Sequence, residues 1–437
     1  MDSFLIRGGN RLKGKIEISG SKNSALPIVA ACLMAEGKTT LMGVPRLSDI
    51  DSMTKLIGEL GCHVYRHESP ASAGDMPALD GPLDIEVTDE KQCEARYDIV
   101  KTMRASICVL GPLLAKRGKA VVSIPGGCAI GDRPVDLHVR GLQKLGAEFR
   151  TENGNIVGEI PRNGGRLKGC RMYLGGAQGP TVLGTINVMC AAALAEGETV
   201  LVGAACEPEV LDCAELLIKM GARIKGHGTP EIRIEGVDKL KGAEHRIIPD
   251  RIECGTFIIA AAITNGELEL RHCNLDHLIA VTDRLEEVGV KIERQNGTIF
   301  VSSSRRLASV EMTTQPYPGF PTDLQAQLMA LLCLGDGISV ITERIFPDRF
   351  LHVGELNRMG GRIRKEGPTA IIQGIKELQG ASVMASDLRA SAALVLAGLV
   401  AKGQTRIDRV YHIDRGYEKI EQKLAAVGAE IERVKEK

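Results

Sequence analysis

The stretch Thr181–Ala195, TVLGTINVMCAAALA, is apolar almost all round when it is drawn as a helix. A charged turn with a glycine, Gly197, follows it. Glycine is common just beyond the C-terminus of a helix, so the run predicts a helix that ends there. A helix without a polar face must be surrounded by protein. The stretch therefore predicts a buried central helix with other elements packed around it.

This pattern recurs along the chain. Apolar runs end in a glycine turn at Gly37, Gly118, Gly197, Gly266, Gly337 and Gly403. A second helix-like segment ends in glycine about 25 residues later each time, at Gly61, Gly146, Gly221, Gly289, Gly360 and Gly428. Both landmarks share a period of about 65 to 85 residues, which indicates six copies of one supersecondary unit.

The order of segments within each unit predicts an α/β block, β-α-β-α-β-β, with the apolar helices at the centre and the sheets outside. Six units predict two domains, residues 22–248 and residues 1–21 with 249–437. The N-terminal piece 2–20 is predicted to form strands that pair with the second half. The aperiodic segment 66–82, rich in Pro, Ala, Ser and Gly, is predicted to be an inserted loop.

Composition excludes several classes of protein. Lys plus Arg equals Asp plus Glu at 55 each and tryptophan is absent, so no nucleic-acid or membrane-surface partner is expected. Twelve cysteines without a C-x-x-C pair indicate free thiols in a reducing compartment. Two sets of candidate metal ligands occur, His63 with His67 and His272–Cys273 with His277. Neither set has an evident cluster of further ligands, so no metal is expected. Residues 1–8 lack a signal-peptide pattern and no apolar run is long enough to span a bilayer, so we expect a cytoplasmic protein.

Polar residues stand at the predicted starts of the apolar helices: Lys22, Asn23, Arg104, Asp323, Asp387 and Arg389. Helix N-termini attract anions, and a neighbouring base strengthens that attraction. The alternative is that Ser24, Thr322 and Asp387 only cap helices and that the bases are solvated. Repetition of the feature favours one shared anion site, because equivalent positions of a repeat converge.

The stretch Pro125–Asp136, PGGCAIGDRPVD, places Cys128 between glycines and a turn. Cysteine is usually buried, whereas glycine and proline at this density indicate a surface loop, so the position of Cys128 is either an accident or reflects chemistry. Arg133 in this stretch and Arg415 in YHIDRGYE carry guanidinium groups that suit phosphate and carboxylate oxygens.

The motifs GSKNSALP, YDIVKTMRAS, PGGCAIGDRPVDLH, PDRIECGTF, FPTDLQAQ, SDLRASAALVLAG and YHIDRGYEKIE resemble, in this order, those of the enolpyruvyl transferase family. The resemblance implies two inside-out α/β barrel domains with the active site in the cleft between them. It implies transfer of the enolpyruvyl group of phosphoenolpyruvate to the 3'-hydroxyl of UDP-N-acetylglucosamine with release of phosphate, the first committed step towards peptidoglycan. It also implies a monomer without a cofactor.

The resemblance further implies residue roles. Cys128 supplies the proton to the methylene carbon and is a thiol that can add to phosphoenolpyruvate or be alkylated by the epoxide fosfomycin. Asp323 takes the proton from the sugar hydroxyl or orients that hydroxyl. Phosphoenolpyruvate is bound by Lys22, Asn23, Arg133, Arg389 and Arg415. The nucleotide sugar is bound by Asn23, Arg104, Arg133, Pro134, Val135, Asp136, Leu137, Asp323 and Ile345.

The sequence departs from the family pattern in one place. The stretch Gly179–Thr185 stands where family members carry a basic residue and a Ser-Val-Gly-Ala-Thr run, so a lysine contact to the diphosphate is in doubt. Two other functions are considered. The related transferase that acts on shikimate 3-phosphate resembles a different loop without the thiol of Cys128. A catalytically silent sugar-nucleotide-binding paralogue would be free to lose Lys22, Cys128, Asp323 or Arg415, all of which are present.

Overall fold

The computed structural model describes residues 2–68, 81–124, 135–161, 165–295, 297–303 and 307–435. These residues form two compact units. The first unit comprises the described residues of 20–127 and 132–248, and the second those of 1–19 and 249–437. The boundary near the N-terminus falls after Ser19, whereas the sequence placed it after residue 21. Residues 69–80 of the predicted inserted loop lie outside the described residues.

The described residues form thirteen α-helices, interspersed with short 3-10 turns. The helices are α1 (Lys22–Ala31), α2 (Ser48–Glu59), α3 (Tyr97–Val100), α4 (Leu110–Arg117), α5 (Asp136–Lys144), α6 (Val182–Ala193), α7 (Pro208–Lys219), α8 (Arg251–Ile263), α9 (Ile279–Val288), α10 (Gln325–Leu332), α11 (Leu351–Arg358), α12 (Leu388–Gly398) and α13 (Ile420–Ala426). No helix in this part of the chain combines the length and the hydropathy needed to cross a membrane.

Strands alternate with these helices along the chain, which confirms the predicted α/β class. The strands are β1 (Asp2–Arg7), β2 (Lys13–Glu17), β3 (Ala35–Glu36), β4 (Lys38–Met42), β5 (Cys62–Arg66), β6 (Leu83–Val87), β7 (Glu94–Ala95), β8 (Lys119–Ser123), β9 (Glu148–Glu152), β10 (Asn155–Glu159), β11 (Arg171–Tyr173), β12 (Gly175–Gly176), β13 (Gly179–Pro180), β14 (Glu198–Val202), β15 (Arg223–Lys225), β16 (Glu231–Glu235), β17 (Leu240–Lys241), β18 (Glu244–Arg246), β19 (Glu267–Arg271), β20 (Lys291–Gln295), β21 (Thr298–Ser302), β22 (Glu311–Thr313), β23 (Ile338–Thr342), β24 (Arg362–Glu366), β25 (Thr369–Gln373), β26 (Ser382–Met384), β27 (Gln404–Asp408) and β28 (Glu430–Lys435).

The described strands include six four-stranded sheets that share one pairing pattern. In each sheet an edge strand pairs in parallel with a central strand, and two antiparallel pairs complete the sheet. The first unit contains the sheets β18-β4-β6-β5, β7-β8-β10-β9 and β11-β14-β16-β15. The second unit contains β2-β19-β21-β20, β22-β23-β25-β24 and β26-β27-β1-β28.

Three of these sheets join segments that are far apart in sequence, and in one of them strand β2 pairs in parallel with β19. Strand β1 lies between β27 and β28, so that Phe4 is opposite Ile407 on one side and Arg433 on the other. Strand β18 pairs in parallel with β4 in the first unit. The N-terminal strand β1 thus belongs to the sheet formed at the C-terminal end of the chain.

The apolar helices are the cores of the two units. Every residue of α8 and α10 is buried, and α8, α10 and α12 pack against one another. In the first unit α1 and α4 both pack against α6. Gly197, which follows α6, has φ 81°, a left-handed conformation that glycine adopts without steric cost.

Candidate active site

Lys22 and Asn23 are the first two residues of α1. The helix is capped by Ser21, whose side chain accepts a hydrogen bond from the Ser24 N–H at 3.3 Å, so the sequence-based candidate Ser24 is not the cap. Lys22 Nζ lies 2.8 Å from Asp49 Oδ2, and both side chains are less than one-tenth exposed. A buried cation needs such a partner, so Asp49 holds the ammonium group at the start of the helix.

Ser24 instead belongs to a buried hydrogen-bond chain. Its hydroxyl donates to Asp212 of α7, and the other oxygen of that carboxylate accepts from His245 Nε2 at 2.8 Å. Lys219 Nζ lies 3.2 Å from His245 Nδ1. Because an ammonium group can only donate, Nδ1 is the acceptor and the proton sits on Nε2. This chain anchors the first turn of α1, which carries Lys22.

The other described candidates of the first unit lie on two segments. Arg104 begins a 3-10 turn, Arg104–Val109, that leads into α4. Val135 precedes α5, and Asp136 and Leu137 are its first residues. Three further candidates, Cys128, Arg133 and Pro134, lie outside the described residues.

A buried asparagine joins these two segments. Asn187 of α6 donates from Nδ2 to the Ile107 carbonyl at 2.8 Å and to His138 Nδ1 at 2.9 Å, and its carbonyl oxygen accepts from the Gly111 N–H. Burial and, second, the charge of Arg104 lower the pKa of His138 to about 4. The imidazole is therefore neutral and can accept the amide hydrogen. This contact fixes the start of α5 relative to the Arg104 turn.

The stretch that departs from the family pattern begins with β13, which pairs with β12 in a small hairpin. Arg140 of α5 donates to the Gly175 carbonyl of this hairpin at 2.9 Å. Thr181 caps α6 by accepting a hydrogen bond from the Gly184 N–H at 3.2 Å. Arg140 is thus a base that reaches this hairpin.

In the second unit, Asp323 lies in a 3-10 turn that precedes α10. Its Oδ1 is 2.8 Å from Arg349 Nη1, and its Oδ2 is 3.2 Å from Arg389 Nη2. The side chains of Arg349 and Arg389 are 7% and 2% exposed, whereas that of Asp323 is 24% exposed. Two buried guanidinium groups therefore hold an accessible carboxylate in its ionised form and in one orientation.

Arg389 occupies the first turn of α12. Asp387 caps this helix by accepting hydrogen bonds from the N–H groups of Arg389 and Ala390. This is the capping role that the alternative interpretation of the sequence gave to Asp387. The guanidinium carbon of Arg389 lies 5.3 Å from the centre of the Tyr417 ring. Its Nε and Nη1 have no hydrogen-bond partner among the described residues.

The charge state of Arg389 follows from its neighbours. Burial lowers the pKa of Arg389, but Tyr417, Asp323 and Asp250 raise it, and the net pKa lies above the ordinary value. Arg389 is therefore a permanent, buried cation.

Ile345 is held by a buried carboxylate, Glu343. Glu343 Oε1 accepts hydrogen bonds from the N–H groups of Ile345 and Phe346 at 2.8 and 3.0 Å and from Thr314 Oγ1 at 2.6 Å. Its Oε2 accepts from Thr322 Oγ1 at 2.8 Å, so Thr322 is not a helix cap. Since the Ile345 N–H is engaged, the carbonyl oxygen is the backbone group of Ile345 that can bind a ligand.

Arg415 ends a 3-10 turn, Val410–Arg415, in the second unit. Burial and, second, Arg415 lower the pKa of the neighbouring His412. His412 is therefore neutral near pH 7 and adds no positive charge to that of Arg415.

Within the second unit the structure thus brings Asp323 and Arg389 into direct contact and links Ile345 to the Asp323 turn through Glu343. Sequence reasoning missed Arg349 and Glu343. The available signals were weak: an arginine in the loop before α11, and an acid directly after the apolar strand β23. In the described parts of the chain no group of three or more His, Cys, Asp or Glu side chains could hold a metal ion.

Comparison with known proteins gives consistent relatives. The model of the EPSP synthase (3-phosphoshikimate 1-carboxyvinyltransferase) family matches residues 6–424. Proteins named UDP-N-acetylglucosamine 1-carboxyvinyltransferase are 52% identical in Lawsonia intracellularis, over 100% of both chains, and 53% identical in Nitratidesulfovibrio vulgaris, over 99% of both. The solved enolpyruvyl transferase NikO from Streptomyces tendae superposes with a TM-score of 0.87 at 23% identity, covering 100% of this chain and 99% of NikO. EPSP synthase from Acinetobacter baumannii superposes with a TM-score of 0.75 at 20% identity over 100% of both chains, so both structures share the fold.

Proposed function

Because the chain belongs to the family of UDP-N-acetylglucosamine 1-carboxyvinyltransferases, we propose that it transfers the enolpyruvyl group of phosphoenolpyruvate to the 3'-hydroxyl of UDP-N-acetylglucosamine. Phosphate is the second product, and the reaction is the first committed step towards peptidoglycan. The observation that carries the proposal is the pair of buried guanidinium groups, Arg349 and Arg389, on the accessible carboxylate of Asp323.

Asp323 acts on the sugar hydroxyl in this proposal. Two arginine contacts stabilise its negative charge, which keeps it ionised as a hydrogen-bond acceptor and makes it a weak base. It therefore orients the 3'-hydroxyl, and accepts the proton only as the new C–O bond forms.

Phosphoenolpyruvate is bound by fixed positive charges. Two guanidinium nitrogens of Arg389, Nε and Nη1, are buried without a hydrogen-bond partner among the described residues, and an anion at these nitrogens would remove the cost of leaving them unsatisfied. Lys22 is held by Asp49 at the start of α1, beside Asn23. With Arg133 and Arg415, these cations stabilise the negative charge that develops as phosphate leaves.

Cys128 is the proposed acid that protonates the methylene carbon. The nucleotide sugar is proposed to contact Asn23, Arg104, the segment 133–137, Asp323 and the carbonyl oxygen of Ile345. The link that Asn187 makes between Ile107 and His138 supports this assignment, since it ties the Arg104 turn to α5.

The finer architecture is also proposed. Each unit is an inside-out barrel of three repeats, which the common pairing pattern of the six described sheets and the fully buried helices α8 and α10 support. The balance of 55 basic and 55 acidic residues supports the absence of a nucleic-acid partner. The cytoplasmic location rests on the twelve cysteines without a C-x-x-C pair, and the monomer rests on the family resemblance.

Phosphate release tests the function. Purified protein is mixed with phosphoenolpyruvate and either UDP-N-acetylglucosamine or shikimate 3-phosphate. We expect release with the nucleotide sugar only. Release with shikimate 3-phosphate alone would assign the chain to the related transferase. Binding of the nucleotide sugar without any release would identify a silent paralogue.

A further inference from the structure

Glu343 is a buried acid that the fold itself does not require. It is wholly buried and follows β23, the central strand that pairs in parallel with the edge strand β22. In the other five four-stranded sheets, the residues that directly follow the corresponding strand are Gly43, Ile124, Gly203, His272 and Arg409. None of them is acidic. A buried carboxylate is costly unless hydrogen bonds compensate for its desolvation. The role of Glu343 must therefore lie in the groups that it hydrogen-bonds.

The two oxygens of Glu343 bind two different segments. Oε1 accepts the consecutive N–H groups of Ile345 and Phe346, which fixes the turn that presents the Ile345 carbonyl. Oε2 accepts the hydroxyl of Thr322, the residue before Asp323. One carboxylate therefore sets the position of a proposed sugar-nucleotide contact relative to that of Asp323.

Thr322 extends this link to the reacting group. Because its hydroxyl hydrogen points to Glu343, its lone pairs are available to Arg349 Nη1 at 3.0 Å. The same nitrogen donates to Asp323 Oδ1 at 2.8 Å. The negative charge of Glu343 thus fixes the direction of the Thr322 hydroxyl, which in turn aligns Arg349 on Asp323.

We propose that Glu343 is a positioning residue that orients Asp323 through Thr322 and Arg349 and presents the Ile345 carbonyl to the nucleotide sugar. The proposal rests on the proposed function, because it assigns Glu343 a part in that reaction. It makes Glu343 and Thr322 determinants of turnover, although neither touches the reacting atoms.

Glu343→Gln tests the relay. If the amide oxygen still accepts the hydrogen bonds of the two backbone N–H groups, the amide NH2 faces Thr322. Because both groups would then donate, the Thr322 hydroxyl must turn and loses its alignment with Arg349. We expect kcat to fall by about tenfold to a hundredfold, as for a lost hydrogen bond to a charged group. KM for UDP-N-acetylglucosamine should change by less than about threefold, because the Ile345 turn persists.

Thr322 gives a second test that does not depend on the folding of the Glu343 variant. Thr322→Val removes the hydroxyl at nearly constant shape and should lower kcat by about tenfold, whereas Thr322→Ser should stay within about threefold of the wild type. The matched control is Glu421→Gln, which changes a buried carboxylate that accepts from Arg433 Nε at 3.1 Å in the same unit. It should lower the melting temperature and leave kcat and KM unchanged.

The outcomes separate the inference from the function. If the wild type releases phosphate and Thr322→Val keeps its kcat, the relay does not exist. If Glu343→Gln lowers only the melting temperature, as Glu421→Gln does, Glu343 is purely structural. If the wild type does not turn over UDP-N-acetylglucosamine at all, the proposed function fails and the inference fails with it.

Discussion

Arg349 and Asp323 are 26 residues apart in the chain and are joined by a contact of 2.8 Å between Nη1 and Oδ1. The guanidinium group is buried while the carboxylate remains accessible. The cation is thus fixed by the protein, whereas the side chain of Asp323 is 24% exposed. This arrangement suits a carboxylate that must hold a substrate hydroxyl in one direction.

Arg349→Lys should lower turnover. Nη1 of Arg349 donates hydrogen bonds to both Asp323 and Thr322. The shorter side chain of lysine, with its mobile ammonium group, cannot reproduce this geometry. We expect kcat to fall by at least about tenfold, with binding of UDP-N-acetylglucosamine little changed in calorimetry. Arg358→Lys, at the exposed end of α11, is the control and should behave as the wild type.

Asp323→Asn should bind the nucleotide sugar and turn over at least about a hundredfold more slowly, because the amide keeps the shape of the carboxylate and loses its charge. Steady-state phosphate release gives the rate and calorimetry gives the affinity. Wild-type turnover in this variant would show that the charge of Asp323 has no part in the reaction.

Cys128 should be the thiol that fosfomycin alkylates. Burial raises the pKa of Cys62 to about 11 and that of Cys333 to about 12, and also raises the pKa of Cys32 and Cys108, so these thiols carry little thiolate at neutral pH. Peptide mass mapping should find the adduct on Cys128. Cys128→Asp should keep activity and resist the epoxide, whereas Cys128→Ala should be inactive; an adduct on another cysteine would contradict the assignment.

Asp49→Asn should destabilise the first unit and lower turnover. The change leaves the ammonium group of Lys22 buried beside a neutral amide, and breaking a buried ion pair typically costs about 3 kcal/mol. Urea unfolding measures the loss. Asp98→Asn breaks the exposed pair of Asp98 with Lys101 and is the control, for which no measurable change is expected.

The protein should lose stability as the pH falls from 6.5 towards 4. Burial and then Arg104 lower the pKa of His138 from 6.5 to about 4; burial also lowers that of His352 to about 4, with Asp387 raising it and Arg349 lowering it. As the pH falls, these histidines bind protons in the unfolded chain before they do so in the folded chain. The contribution of each neutral histidine to the free energy of unfolding is therefore complete above pH 6.5 and is lost below it, on the order of 3 kcal/mol at most. Urea unfolding at several pH values measures this loss. His138→Gln should flatten the curve, and an unchanged slope would contradict the assignment.

Local features of the fold were predictable because they depend on the order of residues within one segment. The apolar run that ends in the turn at Gly266 predicted a buried helix, and every residue of α8 is buried. Predictions of single side chains were less successful. Ser24 is a good capping residue by type, but the extended backbone required of a cap occurs at Ser21.

The sequence by itself determined the α/β class, the apolar helices, and the motifs that identify the family. The sequence predicted that the N-terminal strands pair with the second half, but only the tertiary structure decided that β1 lies between β27 and β28 and that Arg349 and Glu343 contact the Asp323 turn. The physical reason is that backbone hydrogen bonds between strands carry little sequence information, so partners distant in the chain are chosen by the packing of the whole unit. Likewise, the sequence around an arginine in a loop, or around an acid after a strand, does not show whether water or a buried partner will satisfy the charge of that residue.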